Sequence, residues 1–407
     1  MPRHFITRLS LGQFKSIERC EIDLAPVTIL VGRNGVGKSN LVDSLRFITD
    51  ALRATLEYAI RDRGGINQVR RKSLGGRPTN PGIGVAMTLP DGRTGDYGFR
   101  IAAAAGGAFS VSREACRIWN PAGSLVHEFE TKEGQIIKWS PKSEKPATVN
   151  DRLLLVAASG LAEFRPVYDG LTHMAFHNLN PENMKYPQRP APGDLLANDG
   201  RNIASVVKRL ESASPNRLAR VTEFLKAMGV PISRVSHKQA GALETIEVAQ
   251  VYEVPTGDRN ALFDAIALSD GTIRALGLLI SLISSQASNG TGTALVGIEE
   301  PETALHPAAT AALMDGLLEG AEETQLLITC HSPDLLDHSD IAPEMIRPVL
   351  LDNGRTVVGR LSERKVELLQ KHLSTAGELL RLDQLEPDPD DLKRQAEATG
   401  TLWEGPP

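Results

Sequence analysis

The stretch that decides the fold is Val27-Thr28-Ile29-Leu30-Val31, running into Gly32-Arg33-Asn34-Gly35-Val36-Gly37-Lys38-Ser39 and then into Asn40-Leu41-Val42-Asp43-Ser44-Leu45-Arg46-Phe47-Ile48. A β-branched apolar run, a glycine loop and an amphipathic helix follow one another. Glycines let successive backbone N–H groups turn inward with no Cβ in the way, which makes the loop an anion nest at a helix N-terminus. Lys38 then sets a point charge on the β- and γ-phosphates of a nucleotide, and the Ser39 hydroxyl is a ligand for Mg²⁺. Leu41, Val42, Leu45, Ile48 and Leu52 recur at helical spacing, so the helix packs one face on a sheet.

The chain has 407 residues, enough for a substantial core and more than one lobe. Its net charge of −5 excludes a whole-molecule attraction to nucleic acid or membrane, so any such contact needs a local patch. Aromatic residues make up only 4%, which does not suit a base-stacking platform. Cys20, Cys116 and Cys330 are unclustered and read as small buried hydrophobes in a reducing, cytoplasmic setting. The N-terminus lacks the apolar core of a signal peptide, and the best apolar stretch, Ala275 to Ile283, is too short to span a bilayer; a soluble protein with no membrane partner is expected.

Two strands are predicted before the glycine loop, His4 to Gln13 and Cys20 to Val31, joined by Phe14-Lys15-Ser16-Ile17. Leu11-Gly12-Gln13-Phe14-Lys15-Ser16-Ile17, followed by the phosphate loop with Asn40 after its serine, resembles the opening of the RecF, SMC and OLD ATPases. These are ABC-type heads that are not membrane transporters. The resemblance implies an α/β P-loop NTPase fold, an ABC-type ATPase head with an antiparallel β lobe and a mostly parallel sheet flanked by helices. Gly32, Asn34, Gly35, Gly37, Lys38, Ser39 and Asn40 would then hold ATP.

Arg61, Arg63, Arg70, Arg71, Lys72 and Arg77 lie close together with Asp62 as the one acid among them. As a flexible basic loop they could contact DNA phosphates, and as a solvated surface loop they could simply pair with acidic neighbours. A β meander is predicted from Gly82 to Ile118, with one more hairpin around Glu133-Gly134. Residues 151 to 165 read as a helix, and 166 to 200, rich in Pro, Gly and Asn, as an irregular crossing. Helices follow at Arg201 to Glu211 and Pro215 to Met228, the second capped by Ser214, and then a strand at Ile246 to Val254. The expected division is lobe I at 1–165, an inter-lobe crossing at 166–260, lobe II at 261–380 and a loosely ordered acidic tail at 381–407.

Lobe II carries the remaining motifs. Leu268-Ser269-Asp270-Gly271-Thr272 stands where such a head keeps its signature loop; Ser269 can cap the helix and Gly271 permits close approach. Asp270 and Thr272 replace the Gly and Gln of a transporter signature, which argues against a transporter subunit. Ala294 to Ile298 reads as a buried parallel strand ending in Glu299-Glu300-Pro301-Glu302 at the edge where α/β sheets bind ligands. By resemblance Glu299 holds the Mg²⁺ shell, Glu300 polarises the attacking water, and His331, after the strand Leu326 to Cys330, is the switch histidine that reaches the γ-phosphate. Glu302 is the weaker candidate, and His306 and His338 read as surface or interface residues. A lobe-linking glutamine is also implied, with Gln68, Gln135 and Gln188 all open.

In this family neither half of the motif set completes a site alone, so the resemblance implies a homodimer in which Ser269 and Gly271 reach the partner's nucleotide. Two outputs fit: DNA maintenance, with the Arg61–Arg77 stretch gripping the duplex, or a switch in a phage-defence or toxin system that controls a separate effector protein. The stretch between Lys38 and Ser269 lacks the heptads of SMC arms.

Overall fold

The computed structural model describes residues 5–72, 79–252, 259–286 and 292–397. Two compact units emerge: Met1–Met174 with Ala342–Ser374 and Leu382–Pro407, and Ala175–Ile341 with Thr375–Arg381.

The first unit opens with a hairpin of β1 (Ile6–Phe14) and β2 (Ile17–Asp23), closed where Phe14 faces Ile17 and Lys15 takes a left-handed φ of 47°. The predicted strand Cys20 to Val31 is in fact two, β2 and β3 (Val27–Val31), in different sheets. Pro26 has no N–H for a ladder, and the break is sealed by the Ala25 N–H donating to Thr28 Oγ1 at 2.8 Å. All five residues of β3 are buried, as a parallel strand inside a sheet requires.

β4 (Gly82–Thr88), β5 (Thr94–Ala103), β6 (Phe109–Trp119), β7 (Leu125–Lys132) and β8 (Gln135–Trp139) extend the hairpin into a seven-stranded antiparallel sheet of order β2-β1-β4-β5-β6-β7-β8. Glu133 and Gly134 turn β7 into β8 with φ of 48° and 77°, the left-handed pair that a tight hairpin needs. The phosphate-loop helix, Lys38–Arg53, buries Leu41, Val42, Leu45, Ile48 and Leu52 as its spacing predicts. Its Phe47 ring lies 6.0 Å from Phe14 on β1 and 6.1 Å from Phe99 on β5, and burying such a side chain contributes about 1.5–3 kcal/mol relative to exposure. The meander therefore anchors the helix that carries the loop.

Residues 166–200 are more regular than their composition suggests. Helices Arg165–Thr172 and Pro181–Lys185 flank β9 (Met174–His177), because Pro166 and Pro181 sit in the first helical turn, where a missing N–H costs nothing. The predicted helix at 151–165 shortens to Leu154–Ala158.

In the second unit, helices Ile203–Ala213 and Pro215–Ala227 pack on an antiparallel sheet of β10 (Ile232–Ala240), β11 (Leu243–Tyr252) and β12 (Arg259–Asp264). Pro215 opens its helix as read, but the Ser214 side chain makes no cap bond. The predicted strand end at Val254 lies outside the described residues. β13 (Leu295–Glu299) runs parallel to β14 (Gln325–Cys330) with Glu299 opposite Thr329, and β9 borders β13 on its other side.

Returning to the first unit, β15 (Ile346–Asp352) lies parallel to β3, and β16 (Arg355–Val358) folds back antiparallel on β15. The tail is not loose as far as it is described. Helix Pro389–Glu397 is pinned by Gln395, which accepts from the Glu21 N–H and donates to the Val358 carbonyl. With an antiparallel β lobe, parallel strand pairs and flanking helices, the chain has the α/β fold of a P-loop NTPase head.

Candidate functional site

The loop after β3 turns on Gly35 and Gly37, at φ of 81° and 103°, so the helix begins on a left-handed residue. Gly37 is also hemmed in, since a Cβ there would lie 2.1 Å from Thr356 Oγ1. That hydroxyl belongs to a relay: Asn40 Nδ2 donates to Ser16 Oγ at 2.7 Å, Ser16 and Thr356 share a hydrogen bond at 2.6 Å, and Thr356 Oγ1 donates to the Val36 carbonyl at 2.7 Å. Two segments far apart in the chain, at Ser16 and Thr356, thus brace one loop. Lys38 is buried and its ammonium donates to the carbonyls of Gly32 at 2.6 Å and Arg33 at 3.0 Å. Asn34 and Gly35 are exposed at the loop's crest, as is Ser39 at the helix start. An ammonium held by neutral carbonyls beside an open helix N-terminus and a free-facing serine suits a triphosphate with its cation.

The second unit holds the acidic residues. Glu299 ends β13, and Glu300 follows at φ of 45°, a left-handed conformation that a side-chain-bearing residue keeps at a cost of order 1–3 kcal/mol. Its N–H donates to both the carbonyl and the hydroxyl of Thr329 on β14, each at 3.1 Å. Its carbonyl accepts from Arg274 at 3.1 Å. Glu302, the weaker sequence candidate, is 7% exposed and accepts the N–H groups of His331 and Ser332 at 2.8 and 3.2 Å, so it shapes the loop that carries the switch histidine. His331 Nδ1 lies 3.2 Å from Glu302 and 3.7 Å from Glu300 without hydrogen-bond alignment. Glu302, Glu300 and His331 are therefore one cluster.

The signature loop opens helix Asp270–Ser285, whose Ser269 side chain caps the Thr272 N–H at 3.1 Å as its position predicts. Ser269 and Asp270 are exposed, and Lys185 pairs with Asp270. A Cβ on Gly271 would lie 2.3 Å from the Ala304 carbonyl, so glycine allows the helix start to press on the turn after the acidic strand. His306 caps helix Pro307–Ala321 through Nδ1, and His338 faces Asp315 at 3.1 Å.

Of the two readings of the basic stretch, pairing with acidic neighbours holds for Arg63 and Arg71, and the flexible loop does not hold for the helical residues. Residues 56–62 and 66–69 are helical, and Arg63 is an internal ion-pair centre: it donates to Asp43 at 2.8–3.0 Å and to Asp50 at 3.0 Å, with 6% of its side chain exposed. Burial would raise the Asp43 pKa, but the hydrogen bonds and charge of Arg63, with Lys15 at 2.7 Å, hold it below the usual carboxylate range. Arg71 faces Glu18 at 3.6 Å. Arg61 and Lys72 are exposed, Arg70 is half-buried, and Arg77 lies outside the described residues. Of the candidate lobe-linking glutamines, Gln188 is committed to backbone bonds with Glu244, Asn183 and Ala204, whereas Gln68 and Gln135 are exposed.

Sequence reasoning missed Thr356, Ser16 and Arg274. Nothing local marks Thr356, because its partner Ser16 is 340 residues away. Arg274 did leave a signal, a lone cation within the apolar run that follows the signature glycine. Its burial pushes the guanidinium below the usual arginine range against the pull of Glu300, Glu302 and Glu299.

A family model described as "AAA domain, putative AbiEii toxin, Type IV TA system" matches residues 27–337, which span the phosphate loop, the signature loop, the acidic strand and His331. Among solved structures, the SmcHead bound to the C-winged helix domain of ScpA aligns with a TM-score of 0.55 at 16% identity, covering 89% of this chain and 99% of that one. The Smc head domain with an extended coiled coil bound to the C-terminal domain of ScpA, derived from Pyrococcus furiosus, aligns at 0.50 and 12% identity, covering 91% and 99%. At these identities the likeness is one of fold. No helix among the described residues is long and apolar enough to cross a membrane.

Proposed function

The chain belongs to this AAA-domain family, and on that premise we propose that it is an ATP-binding and ATP-hydrolysing head that closes as a homodimer around ATP and Mg²⁺. The observation that carries the reading is Lys38, a buried ammonium resting on two carbonyls of its own glycine loop, ready to exchange them for phosphate oxygens. Gly32, Asn34, Gly35, Gly37 and Asn40 shape the cradle. Ser39 and Glu299 are the residues that would hold Mg²⁺, which when bound neutralises charge on the phosphate oxygens. Glu300 takes the proton of the attacking water, its aim fixed in advance by a strained backbone. His331 donates to the γ-phosphate, on a loop that Glu302 holds. Exposed Ser269, with Gly271, presents a capped helix N-terminus to the nucleotide of the other copy.

Glu300→Gln preserves shape and removes the base. With ATP and Mg²⁺ it is expected to accumulate a dimer, seen as a doubling of mass by light scattering, while hydrolysis falls to a small but measurable residual rate. A variant that binds ATP and stays at its apo mass would overturn the dimer mechanism.

For the output, the DNA reading rests on Arg61, Arg70 and Lys72, since Arg63 and Arg71 face acidic partners. Neutralising those three should weaken duplex binding and flatten its salt dependence. The second reading, ATP-dependent control of a separate effector in a toxin or phage-defence system, is favoured by the pairing of Arg63 and Arg71 with acids and by the family description. Salt-insensitive DNA binding, or none, together with an effector retained by the Glu300→Gln dimer, selects it.

A further inference from the structure

We propose that Arg274 is a positioning residue that aims Glu300, by tying the signature helix to the carbonyls at the end of the acidic strand. The inference deepens the ATPase reading above and rests on it. Arg274 is 8% exposed. One terminal nitrogen donates to the Leu179 carbonyl just beyond β9 at 2.9 Å, and the other to the carbonyls of Glu299 and Glu300 at 3.2 and 3.1 Å. Its Nε is buried with no hydrogen-bond partner.

A buried guanidinium ordinarily takes a carboxylate in a bidentate pair. Here three carboxylates are near enough to act on it as charges, yet its hydrogen bonds go to backbone. The fork therefore holds chain direction. At Glu300 both peptide groups are pinned, the N–H by Thr329 and the carbonyl by Arg274, and the residue between them is held at its left-handed φ of 45°. Without the second pin the strained backbone has a route to relax, and relaxation swings the carboxylate.

Arg274 also lies three residues beyond Gly271, one turn along the same helix face. Gly271 touches the Ala304 carbonyl, at the far end of the same turn, and Ala304 is itself left-handed at φ of 65°. One helix thus meets the 299–304 turn at both ends. A displacement of Ser269 to Gly271 on meeting a phosphate passes through rigid contacts to the backbone of Glu300.

Wild type, Arg274→Lys and Arg274→Gln are compared by steady-state ATPase kinetics, by affinity for a fluorescent ATP analogue, and in a Glu300→Gln background. Lysine keeps the charge and loses the planar fork. Both variants are expected to lose about tenfold or more in kcat, with misplacement of a catalytic group as the cause. Affinity for the analogue stays within about threefold, since uniform binding is untouched. Arg274→Gln adds no further loss to Glu300→Gln, because both act through one carboxylate. An unchanged kcat, a fall in affinity that matches the fall in kcat, or additive losses in the double variant would each overturn the proposal. Loss of folding in both variants, seen as lost analogue binding, would assign Arg274 to stability alone and overturn it too. A wild-type protein that binds the analogue and hydrolyses nothing removes the ATPase reading itself, a distinct result.

Discussion

Around the phosphate loop the side chains that brace it are partnered: Lys38 on two carbonyls, Asn40 on Ser16, Thr356 on Val36. The acidic corner of the other unit keeps Glu302 Oε2, His331 Nδ1 and Arg274 Nε buried without hydrogen-bond partners, and holds Glu300 and Ala304 in left-handed backbone. The side chains that brace the loop have their partners, whereas the acidic corner keeps three buried atoms unpaired beside two left-handed residues. Unpaired buried groups and strained residues persist only where the surroundings over-determine them, and they concentrate where chemistry or switching happens. On the function proposed above, binding belongs to the first corner and turnover to the second.

The largest test of that assignment sets Lys38→Ala against His331→Ala. Removing the ammonium should cost about a hundredfold or more in nucleotide affinity, the scale of a charge-assisted phosphate contact. Removing the imidazole should lower kcat by about a hundredfold and leave affinity near wild type. Equal losses of affinity in both would erase the distinction between the corners.

A second effect distinguishes the units by pH. In the first, burial pushes Glu114 up to about 7, although two backbone N–H groups and Tyr97 donate to it, and pushes Asp96 up to about 6. Their folded pKa values exceed the unfolded ones, so between about pH 4 and 7 these two carboxyls keep protons that the unfolded chain has lost, and their own contribution to stability falls as pH rises. In the second, burial lowers His177 to about 4; there the unfolded chain takes up the proton, and stability rises with pH from about 4 to 6.5. A tenfold difference in proton affinity between the folded and unfolded chain corresponds to about 1.4 kcal/mol. Hydrogen exchange, corrected for intrinsic rate, should show Glu114→Gln flattening the fall in β4–β6 and His177→Asn flattening the rise around β13 and β14. Slopes of one sign in both regions would refute the contrast.

The smallest effect concerns the brace. Thr356→Val keeps the shape and deletes the hydroxyl, leaving Val36 O and Ser16 short of a partner, so unfolding free energy should drop by about 1–2 kcal/mol in urea titration. Nucleotide affinity should weaken with it, because the loop loses the hydrogen bond that holds the Val36 carbonyl. An unaltered affinity would mean that the glycine geometry alone keeps the loop in place.

Much of this was legible in the chain itself. The glycine loop, the apolar face from Leu41 to Leu52, the Ser269 cap and the strand ending in Glu299 are local patterns, in which turn chemistry and periodicity leave few alternatives. The reading failed where a residue's local habit was overruled. Pro166 and Pro181 read as breakers and serve as helix openers, and Pro26 divides a run that looked like one strand.

Sequence alone therefore determined the phosphate loop and the signature cap, each encoded within a few consecutive residues, while the acidic and histidine candidates came from the family resemblance. Only the folded chain decided that Arg63 belongs to Asp43 and Asp50, that Thr356 braces Val36, and that Arg274 grips the carbonyl of Glu300. Those contacts depend on where distant segments cross, and a side chain's partner at such a crossing is set by burial and hydrogen-bond geometry that no local pattern carries.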